Sequence, residues 1–331
     1  MSDVNKSGLV SVVVASYNHA EYLEQRMDSL INQTYQDIEI LVIDDCSTDG
    51  SVEVLRKYES HSKVRLIIRE KNGGWVTVSN QGVAISSGEF VIFANCDDSC
   101  EPQMIERLVK AMYEHPTAGI SFCRSLMVDE NNHVLGEDID IQEASFRSRC
   151  ATNTLIHGFE MSRFLLRGCV IPNLSAALFR ADCFENCGKL SSDYRACSDW
   201  DIFFRIVRLY DVSYVAEPLN HFRQHGTTIR SAMKMRATFD EYFRVLFGYA
   251  KVINLSFVER CIYRTHVMSL WADHLIGTST SGLLNFPYHF RRVLALDPWA
   301  LIFFVPGLAI RCANITGKLA AYCKRIFWGT Q

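Results

Sequence analysis

A chain of 331 residues, 48% apolar, has material for a full hydrophobic core with a helical appendage beside it. Its formal net charge of −3 argues against bulk nucleic-acid binding, which needs a strongly basic face. Twelve cysteines include no CxxC pair, so they read as small buried hydrophobes of a reducing cytoplasm and not as a disulfide or zinc framework. The opening MSDVNKSG lacks an apolar segment of signal-peptide type, and export is not expected. The late apolar run 299–310 is broken by Pro306 and Gly307 and falls short of the about 20 residues that a bilayer span needs.

In chain order, residues 9–15 (LVSVVVA) form a β-branched run of buried-strand type. A helix follows with Leu23, Met27, Leu30 and Ile31 on one face, and Asn18 and Glu21 placed as N-cap and capping-box partner. Strands are predicted at 38–43 and 64–68, with a short helix at 51–58 between them, then a helix at 75–86 and a strand at 90–94. Pro102 stands where a first-turn proline belongs, before a helix with Ile105, Leu108, Val109 and Met112 on its apolar face. This alternation predicts an α/β fold whose mixed, largely parallel sheet carries helices on both faces. Later come a strand at 120–128, a turn at Asn131-Asn132 with a partner strand at 133–141, and a strand at 175–179 with a short helix ending near Gly188.

In such sheets ligands bind beyond the carboxyl ends of the strands. Three polar clusters fall there: Ser16-Tyr17-Asn18, Asp44-Asp45, and Asn95-Cys96-Asp97-Asp98. Adjacent buried charges are costly, so the acid pairs must meet solvent, cap a helix or hold a cation. The turn SYNHAEY has no glycine with which to approach a dinucleotide pyrophosphate, and no Walker lysine loop is present. A divalent cation on the aspartates is then the natural counter-charge for an anionic ligand.

The ordered motifs VSVVVASYNHAEYLEQRMDSLINQTY, EILVIDDCSTDGS, REKNGG with SNQGVAISSGEF, FANCDDSCEPQMIERL, SDWDIFFRI and HFRQHGTT resemble those of the inverting family 2 glycosyltransferases, which have the GT-A fold. The resemblance covers roughly residues 9–226. It implies a nucleotide-sugar-binding half at 9–115 and an acceptor-binding half at 116–230; outside it, residues 1–8 read as a flexible tail and 231–331 as a C-terminal helical region. It implies further that Ala15, Ser16, Tyr17, Asn18 and Asp45 cradle the nucleoside, with Asp45 on the base edge. Asn72, Gly73 and Asn80 would line the donor site, although a glycine turn before a helix explains the glycines of this loop equally well. Asp44 and Asp49 read better as turn and capping residues.

The family's Asp-x-Asp falls on Asn95-Cys96-Asp97, which makes Asp97 the expected ligand of Mg2+ or Mn2+. Asn95 departs from the pattern: its amide can still hydrogen-bond a ribose hydroxyl but supplies no charge, and the resemblance counts Asn95, Cys96 and Asp97 among the donor-binding residues. Asp98 is open to donor contact or to capping. His225 falls where the family often has a histidine at the diphosphate or metal. In SDWDIFFRI the resemblance makes Asp199 the general base, with Ser198 in place of an acidic neighbour. An acid at a helix start is by itself better explained by capping, an order that the resemblance reverses.

The implied activity is inverting transfer of a sugar from a UDP- or dTDP-linked donor to a hydroxyl of a glycan or lipid-linked acceptor, in bacterial surface-polysaccharide assembly. A scaffold that binds nucleotide sugar without turnover and a metal-dependent nucleotidyltransferase are the rivals, the latter disfavoured by the missing glycine-rich basic loop. Over residues 283–331 six basic residues face Asp297 alone, interleaved with aromatics such as Trp299 and Trp328. This reads either as an anchor on an anionic membrane surface, peripheral at the cytoplasmic face, or as a helical appendage at a homodimer contact.

Overall fold

The computed structural model describes residues 8–225, 235–277 and 279–309, which belong to two compact units, Met1–Ala232 and Met233–Gln331. The first unit opens with β1 (Val10–Ser16), α1 (Ala20–Ile31), β2 (Ile38–Asp44), α2 (Ser51–Arg56), β3 (Val64–Ile68), α3 (Trp75–Ile85) and β4 (Phe90–Asn95). It continues through β5 (Ser99–Cys100), α4 (Met104–Glu114), β6 (Ala118–Val128), β7 (Val134–Glu137), a 3-10 turn at Asp138–Ile141, α5 (Ala144–Arg149), β8 (Thr154–Ile156) and α6 (Gly158–Leu165). A second 3-10 turn at Leu174–Ala176 leads into β9 (Ala177–Arg180), α7 (Asp182–Asn186), α8 (Ser198–Ile206) and β10 (Asp211–Arg223).

The pleat of β1 decides which helix lies on which face. Val10, Val12 and Val14 point into one core with Leu23, Met27 and Leu30 of α1, Leu55 of α2, and Leu108 and Met112 of α4. Each such side chain, fully buried, contributes about 1.5–3 kcal/mol. Val13 points the other way, onto α3, where only a glycine fits: a Cβ on Gly82 would lie 2.2 Å from the Val13 Cγ1. Helices therefore cover both faces.

The sheet runs β3-β2-β1-β4-β9-β6-β10-β5, with β7 on β6 and β8 on β10. β3, β2, β1 and β4 are parallel, β9 is antiparallel to β4 and β6, and β10 is parallel to β6. The order reverses between β1 and β4, and a crevice opens beyond their carboxyl ends at such a switch point. Ala15 pairs with Asn95 across it, and Ser16 with Asp44.

Several local expectations give way to longer-range contacts. Asn18 does not cap α1: it takes a left-handed φ of 52°, and its Oδ1 accepts from the Thr48 amide at 2.8 Å. His19 holds the N-cap position without a side-chain cap bond, and the Ala20 amide donates to Asp49 Oδ2 at 3.0 Å. Pro102 lies ahead of α4, whose N-cap is Gln103, and its carbonyl accepts from the Thr34 amide at 2.8 Å. The strand expected at 133–141 stops at Glu137, because Asp138 turns inward to accept from the Ser125 amide at 2.6 Å.

Among its described residues the second unit holds α9 (Met235–Val252), α10 (Phe257–Gly277), α11 (Ser279–Leu296) and a 3-10 segment at Pro298–Phe303. Trp271 centres its core, stacked on Phe286 at 5.3 Å and edge-on to Phe243 at 6.1 Å and Phe304 at 5.1 Å. Arg264 pairs with Asp297 at 2.8 Å, and Arg292 pairs with Asp240. Arg292 is thus neutralised from outside the stretch, while Asp297, the one acid at 283–331, is taken by Arg264; the basic residues from Arg311 onward lie outside the described residues. No described helix is long and apolar enough to cross a membrane.

Candidate active site

Asp97, at the end of β4, lies in the switch-point crevice. Its Oδ2 is 2.9 Å from Nε2 of His225, and the two side chains are 20% and 3% exposed. Burial opposes ionisation of Asp97, but the hydrogen bond from His225 and the nearby His19 more than offset it, so the carboxyl sits below its usual range. The same bond raises the His225 imidazole against the opposing effect of burial. His19, Asp97 and His225 offer ligand atoms that all lie within 4.8 Å of one another. One carboxylate and two imidazoles at such separations fit a divalent cation that keeps positions open for a ligand. The resemblance implies Asp97 and His225 and does not mark His19, which lies in the turn SYNHAEY.

Asp98, one residue on, faces the other way. It is 1% exposed and accepts from the Arg223 amide at 3.0 Å, Asn173 Nδ2 at 2.8 Å and Asn95 Nδ2 at 3.3 Å. Burial, and then the neighbouring Asp97, push its carboxyl up to about 7. Asp98 ties β4 to β10, and this inward geometry replaces the donor contact considered for it. Asn95 spends its amide on Asp98, and its main-chain N–H donates to Ser175 Oγ at 3.0 Å. Cys96 is buried, which pushes its thiol far up and makes it inert. No disulfide joins the cysteines among the described residues.

Arg223, the last residue of β10, fixes this strand end and was not singled out from the sequence. It is 1% exposed, and its guanidinium donates to the Asp97 carbonyl at 2.7 Å, the Asp129 carbonyl at 2.8 Å, Gln25 Oε1 at 2.8 Å and Asn132 Oδ1 at 2.7 Å. It also lies 4.6 Å over the ring of Tyr22. Three sequence-distant segments therefore hold Asp97 in place.

At the end of β2 the acids divide their work. Asp44 accepts from the Ser47 amide at 2.8 Å and the Ser16 hydroxyl at 3.2 Å, which builds the turn. Asp49 accepts from the Ala20 and Ser51 amides, both at 3.0 Å; its burial works against ionisation, and these bonds with the Ser51 hydroxyl bring its carboxyl below the ordinary range. Asp45 has both oxygens engaged, by Arg69 at 2.8 Å, the Gly73 amide at 2.9 Å and the Gly74 amide at 2.7 Å. It organises the loop ahead of α3, a role the expectation of a direct base contact did not foresee. Asn72 is exposed at the tip of that loop, and Tyr17 shows 43% of its surface at the crevice mouth. Asn80 bonds both the amide and the carbonyl of Leu190, at 3.0 and 2.9 Å, and so pins the segment that leads to α8.

Asp199 sits in the first turn of α8, partly exposed, and its Oδ1 accepts from the Trp200 amide at 2.7 Å. α8 ends at Ile206, shortly before β10 begins at Asp211. The Trp75 indole, beside the Gly73–Gly74 loop, donates to the Arg195 carbonyl at 3.0 Å and fixes the preceding segment there. Ser198 is buried and donates to the Ser191 carbonyl at 2.9 Å, a structural use of the position where the resemblance expects an acid. Asp201 is spent on Arg205, at 2.8 Å.

A doubly covered, largely parallel sheet with an acidic, histidine-flanked crevice at its switch point is the frame of a GT-A glycosyltransferase. The chain matches Glycosyl transferase family 2 over residues 11–188 and belongs to that family. It is similar to the hyaluronan synthase of Pasteurella multocida, 30% identical over 161 residues, which make up 48% of this chain and only 16% of that synthase. In fold it is similar to S. aureus TarS 1–349 in complex with UDP-GlcNAc, at a TM-score of 0.67 and 17% identity, covering 93% of this chain and 92% of that one. The mannosyltransferase PcManGT of Pyrobaculum calidifontis, in complex with GDP-Man and Mn2+, aligns at a TM-score of 0.51 and 16% identity over 97% of this chain and 88% of its own.

Proposed function

We propose that this glycosyltransferase moves a sugar, with inversion, from a UDP- or dTDP-linked donor to a hydroxyl of a glycan or lipid-linked acceptor in bacterial surface-polysaccharide assembly, and that it depends on a divalent cation at Asp97. The observation that carries the proposal is the Asp97 carboxylate beside two imidazoles at the switch point, in a crevice whose first turn has no phosphate-binding glycine. TarS with UDP-GlcNAc and the mannosyltransferase with GDP-Man and Mn2+ support the class of donor and the use of a cation.

Asp97 and His225 would hold the cation, which would supply positive charge against the diphosphate leaving group. Asp45, through the Arg69–Gly74 loop, shapes the wall against which the nucleoside rests, and the Tyr17 ring offers a packing face. Asp199 accepts the acceptor hydroxyl's proton as that oxygen bonds to the anomeric carbon and the bond to the phosphate oxygen breaks. One displacement, with one base and no covalent intermediate, inverts the anomeric centre. Asp199 is chosen as the base because it opens α8 in SDWDIFFRI, where the resemblance expects one.

A thermal-shift screen of nucleotide sugars with and without Mn2+ tests the proposal. Ligand at a hundredfold excess over Kd stabilises by about 2.7 kcal/mol, a readily measured rise in Tm. A UDP- or dTDP-sugar should produce it only with the metal present. No response to any nucleotide sugar under either condition contradicts the proposal.

A further inference from the structure

We infer that His19 is a third protein ligand of the cation at Asp97, and that this set of two imidazoles and one carboxylate selects Mn2+ over Mg2+. The inference rests on the cation site proposed above and deepens it.

The geometry of His19 is that of a ligand held ready. Its Nδ1 is 2.7 Å from the Tyr17 carbonyl, which can only accept, so the proton sits on Nδ1 and Nε2 keeps its lone pair. A carbonyl on the far nitrogen is the partner that commonly orients a metal-bound histidine. The backbone is fixed as well. The amides of Asn18 and His19 donate to Ser47 Oγ at 3.0 Å and Ser51 Oγ at 3.2 Å, and Asn18 accepts from Thr48. His19 occupies an N-cap, a position where Ser, Thr, Asp and Asn prevail because they bond the first free amides. It makes no such bond, and its ring instead packs edge-on to His225 at 5.8 Å, with Tyr22 against both rings.

The three ligand atoms lie within 4.8 Å of one another. At bonds of about 2.1 Å, ligands around one ion stand about 3–4 Å apart, so a shift of about 1 Å would bring the set to bonding distance. His19 also answers the departure at Asn95, where the acid expected from the resemblance is an amide already bonded to Asp98. A second imidazole replaces an oxygen ligand, and this changes which ion is held. Mg2+ is bound through carboxylates, phosphates and water, whereas imidazole suits borderline transition ions, and Mn2+ accepts both kinds of ligand.

The test is Mn2+ binding to the metal-stripped full chain without nucleotide, followed by electron paramagnetic resonance with resolution of nitrogen couplings. The wild-type protein should show two imidazole nitrogens on Mn2+, and Mg2+ at tenfold excess should not displace it. His19→Gln should show one nitrogen and bind Mn2+ at least tenfold more weakly, with its thermal melt confirming the fold. Two nitrogens in His19→Gln with undiminished affinity, or displacement by equimolar Mg2+, overturns the inference. UDP titration with Mn2+ separates the two levels of the argument. If UDP still binds in a Mn2+- and Asp97-dependent way while His19→Gln changes nothing, only the role of His19 falls. If neither Mn2+ nor Mn2+-dependent UDP binding is seen in the wild type, the cation site falls with it.

Discussion

Arg223 donates from Nε to the main-chain carbonyl of Asp97 at 2.7 Å, from 126 residues further along the chain. His225, on the same strand exit, meets the Asp97 carboxylate at 2.9 Å. The end of β10 therefore fixes both the backbone and the side chain of the residue on which the site depends. Arg223→Lys removes the planar fork and leaves several buried acceptors unpaired, for an expected loss of about 2–4 kcal/mol. Urea unfolding checks the stability, and a parallel titration should show weaker Mn2+ binding. Unchanged stability would mean that the network is redundant.

Asp199→Asn keeps shape and capping capacity while removing the proton acceptor. Transfer to the acceptor should fall by about a hundredfold to ten-thousandfold, with donor affinity intact. Donor titration and transfer kinetics on the same variant separate the two effects. Near-normal transfer would reduce Asp199 to a helix cap.

Asp45 and Arg69 act as one unit, through a 2.8 Å ion pair whose carboxylate is 3% exposed. Asp45→Asn should weaken UDP binding about tenfold, and adding Arg69→Ala should cost little more, because the loop is already released. A double-mutant cycle on UDP affinity is the check; additive losses would place the two residues in separate roles.

Asp138 gives a stability signature apart from the site. Burial raises its carboxyl to about 6, above its unfolded value, so the folded state favours the protonated form. Its contribution is complete below about pH 4 and is lost as the pH rises through 6, amounting to about 2–3 kcal/mol. Asp138→Asn still accepts from the Ser125 amide but cannot ionise. Its stability relative to wild type should therefore rise by about that amount between pH 4 and pH 7 in urea unfolding. A constant difference would contradict the burial argument.

What the sequence revealed follows from where the determining contacts lie. β1 to β4 and their helices were legible because alternation and helical period are local, and the acids at their ends marked the crevice. β10 was not read as a strand: Glu217-Pro218 interrupts DVSYVAEPLNHFR, and its register against β6 shifts on both sides of Pro218. Arg223, at its end, was invisible for the same reason, since its partners lie in α1, at the end of β4 and in the turn before β7. Asn18 misled because capping of α1 comes from Asp49 in another loop. His19 gave one signal in hindsight, a histidine at a position that favours short polar side chains.

The most direct measurement is calorimetric titration of UDP into the full chain, wild type and Asp97→Ala, each with Mn2+ and with chelator. The wild type should bind UDP only with Mn2+, and Asp97→Ala should lose both the binding and its metal dependence while remaining folded. UDP affinity that is equal in the two proteins, with the same response to chelator, would contradict the assignment of Asp97 and the metal-dependent donor site built on it.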